Sequence, residues 1–391
     1  MPELTPSFVF EYERRMRAIS EQEYARRLSS EFTWWNKVCR TMNIEGKTER
    51  ITWLLSTAMI EPTGPTGSGL LTFEELVTQT VEYPTFRHGK GIRVQRDQIE
   101  DLNGTGLEEL TEWSAQIGNE IAYYPQRLAA QLLLNGNNTD GSANAYDTVP
   151  FFADNTARTI GGVSVKGHPY NPFRPSLGGY QNWLHGSSSG AYPGALPIDD
   201  TVSVEVALQN LGKAISFVSG WKMPNGVDPR FLRVVGILAP PRMAPRLRQL
   251  TNAAFIAQAA SSGGGAADVK AIIQGFGLGQ PIIAQELGAA ISYTAQMPFM
   301  ATGGNTSFIT ETMTGSDTTY YLILQEATSS QLGSLLHLVR KPFKVTYYTG
   351  DQGGTGVDAL LDRANELEYH VPGRMANQYG HPYGMVRCDS T

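Results

Sequence analysis

The stretch that most restricts the fold lies between residues 107 and 134. Leu107, Leu110, Trp113, Ile117, Ile121, Leu128 and Leu132 recur at steps of three, four or seven, which puts them on one stripe of an α-helix. Glu108, Glu109 and Glu112 stand where the positive end of the helix dipole favours acids. Asn135-Gly136 supplies the stop. At about 1.5 Å per residue this is a rod of roughly 40 Å. Pro125 interrupts the pattern and is expected to kink it. The chain has 391 residues, too many for one ordinary core, so two or three lobes are expected around the rod.

Residues 46–92 carry a different pattern. ITWLLSTAMI (51–60) is an apolar run, EPTGPTGSG (61–69) a turn-rich break, and 71–94 is β-prone. Val77, Val81 and Tyr83 share one strand face, with Thr78, Thr80 and Glu82 on the other; Gln79 interrupts the apolar side. This reads as a long two-stranded hairpin. Such a hairpin is marginal in water and must rest on its own body or on a neighbour.

Ahead of it, Phe8, Tyr12, Met16, Ile19, Tyr24 and Leu28 recur at helical spacing. Residues 1–50 hold nine Lys/Arg and eight Asp/Glu, too balanced for a nucleic-acid arm, so residues 1–45 read as a solvated or partner-facing arm. Its removal is expected to leave a soluble body. After a glycine-rich, weakly patterned stretch at 136–200, a second helix opens at Asp200-Thr201 and ends at Gly220. Strand candidates follow at 231–239, 281–287, 320–325 and 344–350. Pro240-Pro241 leads into a short helix, and 259–267 is a flexible loop.

Composition narrows the class. Charged residues are 17%, against roughly 25% for a soluble domain. Such a chain either hides surface against neighbours or is a loop-rich enzyme. A net charge of −6 argues against broad phosphate-driven nucleic-acid binding. No run of 18 apolar residues and no signal-like start occurs. Cys39 and Cys388 cannot form a disulfide framework or a four-cysteine zinc site, and they read as free thiols.

Catalytic and ligand motifs are wanting. The six histidines show no zinc spacing, and His168 and His381, each in a His-Pro-Tyr triplet, read as loop histidines. Gly186-Ser187-Ser188-Ser189-Gly190 matches a nucleophile-elbow pattern but lacks the strand and helix that make one. No P-loop is complete: Gly46-Lys47-Thr48 has Thr41 where the first glycine belongs. Asp97, Glu100 and Asp101 are too few for a metal site. No cofactor and no metal are expected.

Several stretches, taken in order, carry a likeness. They are VQRDQIEDLNGTG (94–106), EIAYYPQRLAAQLLLNG (120–136) with its internal Pro125, and YDTVPFFADN (146–155) with Ala153 before Asp154. VVGILAPPRMAPRLRQLTN (234–252), KPF (341–343) and LEYHVPGRMANQYGHPYG (367–384) follow. Their order resembles bacteriophage major capsid proteins of the Hong Kong 97 fold, nearest the Mu-like major head subunit family. That family's His-Pro would be His168-Pro169, further downstream here, as an insertion would place it. The likeness spans roughly 70–390.

This resemblance implies an α+β capsid fold: an N-terminal arm (1–45), an extended hairpin loop (46–92), a peripheral domain (93–199 and 336–391) with spine helix 107–134, and an axial domain (200–335). Leu107, Leu110, Ile117, Ile121 and Leu128 would form the spine core, with a joint at Pro125. Tyr12, Met16, Trp53, Leu54, Phe73, Val81, Tyr83, Phe86 and Gly263, Gly264 and Gly265 would be subunit contacts. The implied function is structural, not enzymatic: pentamers and hexamers closing an icosahedral virion shell around double-stranded DNA in a bacterial host's cytoplasm. Portal, scaffold or decoration proteins would be further partners, and no membrane is involved. The alternatives are an encapsulin-like compartment, a tail-tube or other ring protein, and a glycine-rich enzyme.

Overall fold

The computed structural model describes residues 6–30, 33–54, 78–95, 105–252, 256–257, 266–267, 280–300, 306–326, 333–347 and 366–391. In chain order, helix α1 (Pro6–Leu28) leads through the one-turn helix α2 (Trp35–Val38) into strand β1 (Cys39–Asn43). Strands β2 (Thr48–Leu54) and β3 (Thr78–Pro84) form a hairpin, and β4 (Phe86–Gln95) continues from it. Helix α3 (Thr105–Asn135) is the rod. Then come β5 (Ala157–Ile160), β6 (Val163–Lys166), β7 (His168–Pro169), β8 (Gly179–Tyr180) and β9 (Trp183–Leu184). Helix α4 (Val204–Ser219), strand β10 (Leu232–Ala239) and helix α5 (Ala244–Asn252) follow. Beyond them lie β11 (Ile256–Ala257), β12 (Ala266–Ala267), β13 (Ile282–Ile283), β14 (Ser292–Met300), β15 (Thr306–Thr314) and β16 (Tyr320–Glu326). Strands β17 (Leu335–Lys341), β18 (Thr346–Tyr347), β19 (Glu366–Tyr379) and β20 (Met385–Cys388) complete the order.

Two five-stranded sheets organise these elements. In the first, β1 runs parallel to β17 and β17 antiparallel to β19. The long β19 pairs with β4 on its other edge, Met375 facing both Val339 and Phe86. The second sheet has the order β13-β10-β16-β20-β9. Helices α4 and α5 cover it through Leu211, Ala214, Val218, Leu247 and Leu250. The Ser203 hydroxyl caps α4 by accepting the Val206 N–H at 3.2 Å, three residues later than the expected start.

Helix α3 supports both sheets. Its first half presents Leu110 and Ile117 to Val345, Tyr369 and Val371 of the first sheet's side. Its second half presents Ala129, Leu132 and Leu133 to a cluster holding Leu335, Tyr379, Leu238 and Tyr321, drawn from both sheets. Leu128 is half-buried, and the side chain of Leu107 lies outside the described residues. The helix continues through Pro125. Proline removes the N–H that would bond the Ile121 carbonyl. Around it, the Trp35 indole donates to the Ala122 carbonyl (3.1 Å) and the Asn377 amide to the Pro125 carbonyl (2.7 Å). These buried bonds pin the proposed joint from two sides.

The expected segmentation changes in four places. Residues 1–45 are not a detachable arm: Met16 is fully buried against α3 and the first sheet, Trp34 and Trp35 lie in the central cluster, and β1 is a sheet strand. Among the described residues the hairpin pairs 48–54 with 78–84, and 86–95 belongs to the first sheet. Strands β9 and β20, expected with the first lobe, complete the second sheet. The 292–314 hairpin, Ser292↔Thr314 to Met300↔Thr306, falls where no strand was expected.

Helix α1 reaches α3 closely because residue 118 is glycine. A Cβ there would stand 2.4 Å from the Ser20 carbonyl oxygen. Gly118→Ala gains about 1 kcal/mol of helix propensity but forces two packed backbones apart, costing about 1–3 kcal/mol. A lower denaturant midpoint is expected; an unchanged or higher one would refute this packing. Deletion of residues 1–45 removes two buried tryptophans, each worth about 3–5 kcal/mol. The truncated chain should be recovered insoluble, and a soluble product with native circular dichroism would show the segment to be an arm after all.

Candidate functional site

For a chain without a catalytic motif, the places to test are the expected contact residues. The structure does not bring them together as one exposed surface. Met16 is 0% and Tyr83 3% exposed, so neither side chain is available to another subunit: both are internal packing. Trp53, Val81 and Phe86 are half-buried. The side chains of Tyr12 and Leu54, together with Phe73, Gly263, Gly264 and Gly265, lie outside the described residues.

The hairpin rests on its own body. Register sets Ile51 opposite Val81 and Glu49 opposite Tyr83. The side chains of Ile51, Trp53, Val81 and Tyr83 form one face over Ile44, Leu336 and Leu338. On the other face Arg50 pairs with Glu82 at 2.6 Å, and the Thr52 and Thr80 hydroxyls lie 3.1 Å apart. Trp53 packs edge-on to His381, with ring centres 5.4 Å apart. The paired base is thus anchored within this chain, leaving residues 55–77 between the arms.

A cluster of aromatic and polar side chains lies at the junction of the 136–200 stretch, the second sheet and the C-terminal residues, and sequence reasoning missed it. Its signal was the repeated His-Pro-Tyr triplet. Tyr180 stacks on Tyr383 at 3.9 Å and on His168 at 5.3 Å; Tyr170 also stacks on Tyr180. The Arg230 guanidinium lies 3.9 Å above the Tyr383 ring and 3.2 Å from Glu326. Asn182 ties the stretch to the C-terminal segment: its amide donates to the Phe151 carbonyl (2.7 Å) and the Pro382 carbonyl (3.1 Å), and its oxygen accepts the Ala153 N–H (2.8 Å).

The Asp147–His168 pair in this cluster has the spacing of a catalytic dyad, 2.8 Å. Both side chains are fully buried, and the second ring nitrogen is engaged by the Phe151 carbonyl at 3.1 Å. With both nitrogens occupied and no path from solvent, the arrangement fits a structural pair. Burial, reinforced by Arg230 and His168, holds His381 well below its ordinary value. Its Nδ1 accepts the Tyr383 N–H at 3.3 Å, a bond that needs an unprotonated nitrogen. Burial likewise pushes the Cys39 and Cys388 thiols up, and both cysteines are free. Among the described residues no group of three His, Cys, Asp or Glu is placed to hold a metal ion, and no helix is long and apolar enough to cross a membrane.

No family model and no curated protein matches the sequence. Among solved structures, the chain is similar to the virus-like particle of Pyrococcus furiosus at 12% identity and a TM-score of 0.45, over 97% of this chain and 100% of that one. It is similar to the capsid protein of Cyanophage P-SCSP1u at 13% identity and a TM-score of 0.46, over 90% and 86% of the two chains. It is also similar to an encapsulin complex of Synechococcus elongatus at 10% identity and a TM-score of 0.41, over 92% and 87%.

The buried histidines predict a pH dependence. His381, His88 and His337 are all held below the ordinary 6.5 by burial. As pH falls through 6.5, the unfolded chain binds protons that the folded chain refuses, so stability falls with it; well above 6.5 these groups contribute nothing. The carboxyls held below 3.8, Asp154 and Asp199, act only in more acidic solution. Denaturant midpoints should therefore drop between about pH 7 and pH 5, less steeply in His381→Gln. A flat profile, or an unchanged slope in the variant, would refute the assignment.

Proposed function

We propose that this chain is the structural subunit of a closed capsid-type shell, a bacteriophage major capsid protein of the Hong Kong 97 kind nearest the Mu-like head subunits. The observation that carries the reading is the order of parts along the chain. A hairpin (48–84) precedes a 31-residue helix. A second sheet covered by two helices comes next, and a late strand, β19, returns to the first sheet beside the rod. That order matches the sequence stretches that resemble this family.

In this reading the first sheet and α3 form the peripheral region, and the second sheet with α4 and α5 forms the axial region. Copies assemble as pentamers and hexamers around double-stranded DNA, with portal, scaffold or decoration proteins as further partners. The net charge of −6 suits a container, because a strongly basic lining would hold phosphates and resist packing. The role is one of assembly, with no cofactor, in the virion.

Negative-stain electron microscopy of the purified chain, with nucleic acid measured in the particles, tests this. Closed polyhedra containing DNA are expected. Closed shells holding protein cargo would favour the encapsulin-like alternative, tubes a tail-tube protein, and dispersed monomers would remove the shell reading.

A further inference from the structure

Alternation along β17 sends Leu336 and Leu338 to one side of the first sheet and His337 and Val339 to the other. The leucines pack under the 48–84 hairpin. The other pair meets β19 in register, His337 opposite Asn377 and Val339 opposite Met375. On that side the sheet, α1 and α3 enclose a cavity of 150 Å³, which α3 borders at Ile121 and Pro125. Trp35, Ile121, Phe343 and Met375 give it apolar walls, and the exposed Glu21 and Lys344 stand at its mouth. An apolar cavity of roughly this size takes one benzene-sized molecule.

The hydrogen bonds around the cavity leave one polar atom over. The Asn377 amide nitrogen donates to the Pro125 carbonyl at 2.7 Å, so the amide oxygen is the atom that faces His337. His337 Nδ1 lies 2.6 Å from that oxygen and carries the proton. Nε2 is then an acceptor, on a ring that is 3% exposed and whose charged form burial disfavours. Among the described residues nothing donates to it. Donors close by are already used. The Trp35 indole N–H bonds the Ala122 carbonyl, the Ser20 hydroxyl the Arg17 carbonyl, and the Arg17 guanidinium reaches Glu13 and the Val345 carbonyl. Pro125 has no N–H to give. The Tyr24 hydroxyl and the Lys344 ammonium belong to half-buried and exposed side chains. A buried acceptor left without a donor is costly, so the cavity favours an occupant that brings one.

We propose that this cavity is a binding site for a small neutral aromatic alcohol of phenol's size, its ring held by Ile121 and Met375 and its hydroxyl donating to His337 Nε2. The apolar walls disfavour a charged ligand. An occupant touches α1, α3 and the first sheet at once, and so ties the N-terminal helix to the body. The assignment stands independently of the shell reading.

Isothermal titration calorimetry and thermal unfolding of the full-length chain with phenol and with benzene test this. Phenol is expected to bind saturably and to raise the unfolding midpoint by about 2 °C at saturation. Benzene, which donates nothing, should bind roughly fivefold more weakly. In His337→Phe the two should bind alike. Val339→Phe, which fills the cavity and keeps His337, should bind neither while its circular dichroism is unchanged. If His337→Phe does not fold, the phenol-to-benzene ratio in the native chain and the result for Val339→Phe decide. Absence of saturable phenol binding would mean a cavity that holds water only, and would overturn the proposal. Equal affinities in the native chain, a preference that survives in His337→Phe, or binding unaffected by Val339→Phe would overturn it as well.

Discussion

The structure depends on one buried carboxylate. Glu286 is 5% exposed, and a carboxylate taken out of water is costly unless both oxygens are bonded. Here the Trp34 indole donates to one oxygen at 3.0 Å and the Gln126 amide to the other at 2.6 Å. Gln126 in turn accepts the Trp34 backbone N–H at 2.9 Å. Three segments far apart in sequence are thereby closed into one ring: the N-terminal residues, the long helix and the turn after β13. None can shift without stranding a charge away from water. That explains why residues before β1 belong to the body and why the helix is held at its proline.

A second constraint fixes the other side of the molecule. The two His-Pro-Tyr triplets, more than two hundred residues apart, meet through Tyr180 and Tyr383, with Arg230 over the latter ring. Stacked aromatics, a cation over a ring and the Asn182 bridges join the 136–200 stretch to the C-terminal residues. Rigid contacts therefore lie at the centre and at this junction. Pro125, bonded from both sides, belongs to that firm centre.

Local signals made part of this legible. The rod shows because a 3.6-residue period over seven turns has no competing reading. The hairpin face shows because Val81 and Tyr83 alternate with polar residues, even though the sequence did not reveal that pairing stops at Thr85. The 136–200 stretch was opaque for a physical reason: its strands are two to four residues long, and it is held by distant partners such as Asn182 with Pro382. The N-terminal helix was misread because few of its described side chains are deeply buried; its closeness to α3 comes from a glycine on the other helix. Nothing near Trp34 and Trp35 marks them as core, since their partners lie 87 to 252 residues away.

The charge deficit noticed in the composition takes on a location when strand edges are considered. Two-stranded hairpins are marginal in water, and the described residues include several, 48–84 and 292–314 the longest, besides the edge of β4 that meets no described strand. A monomer living alone would blunt such edges with charge, and β4 does so with Arg87, Lys90 and Arg93. Glycines 89 and 91 stand where a Cβ would crowd the Val371 and Tyr369 carbonyl oxygens of β19, so they let these two backbones pair closely. Cations deter association with identical basic edges, so these residues keep the strand from pairing at random.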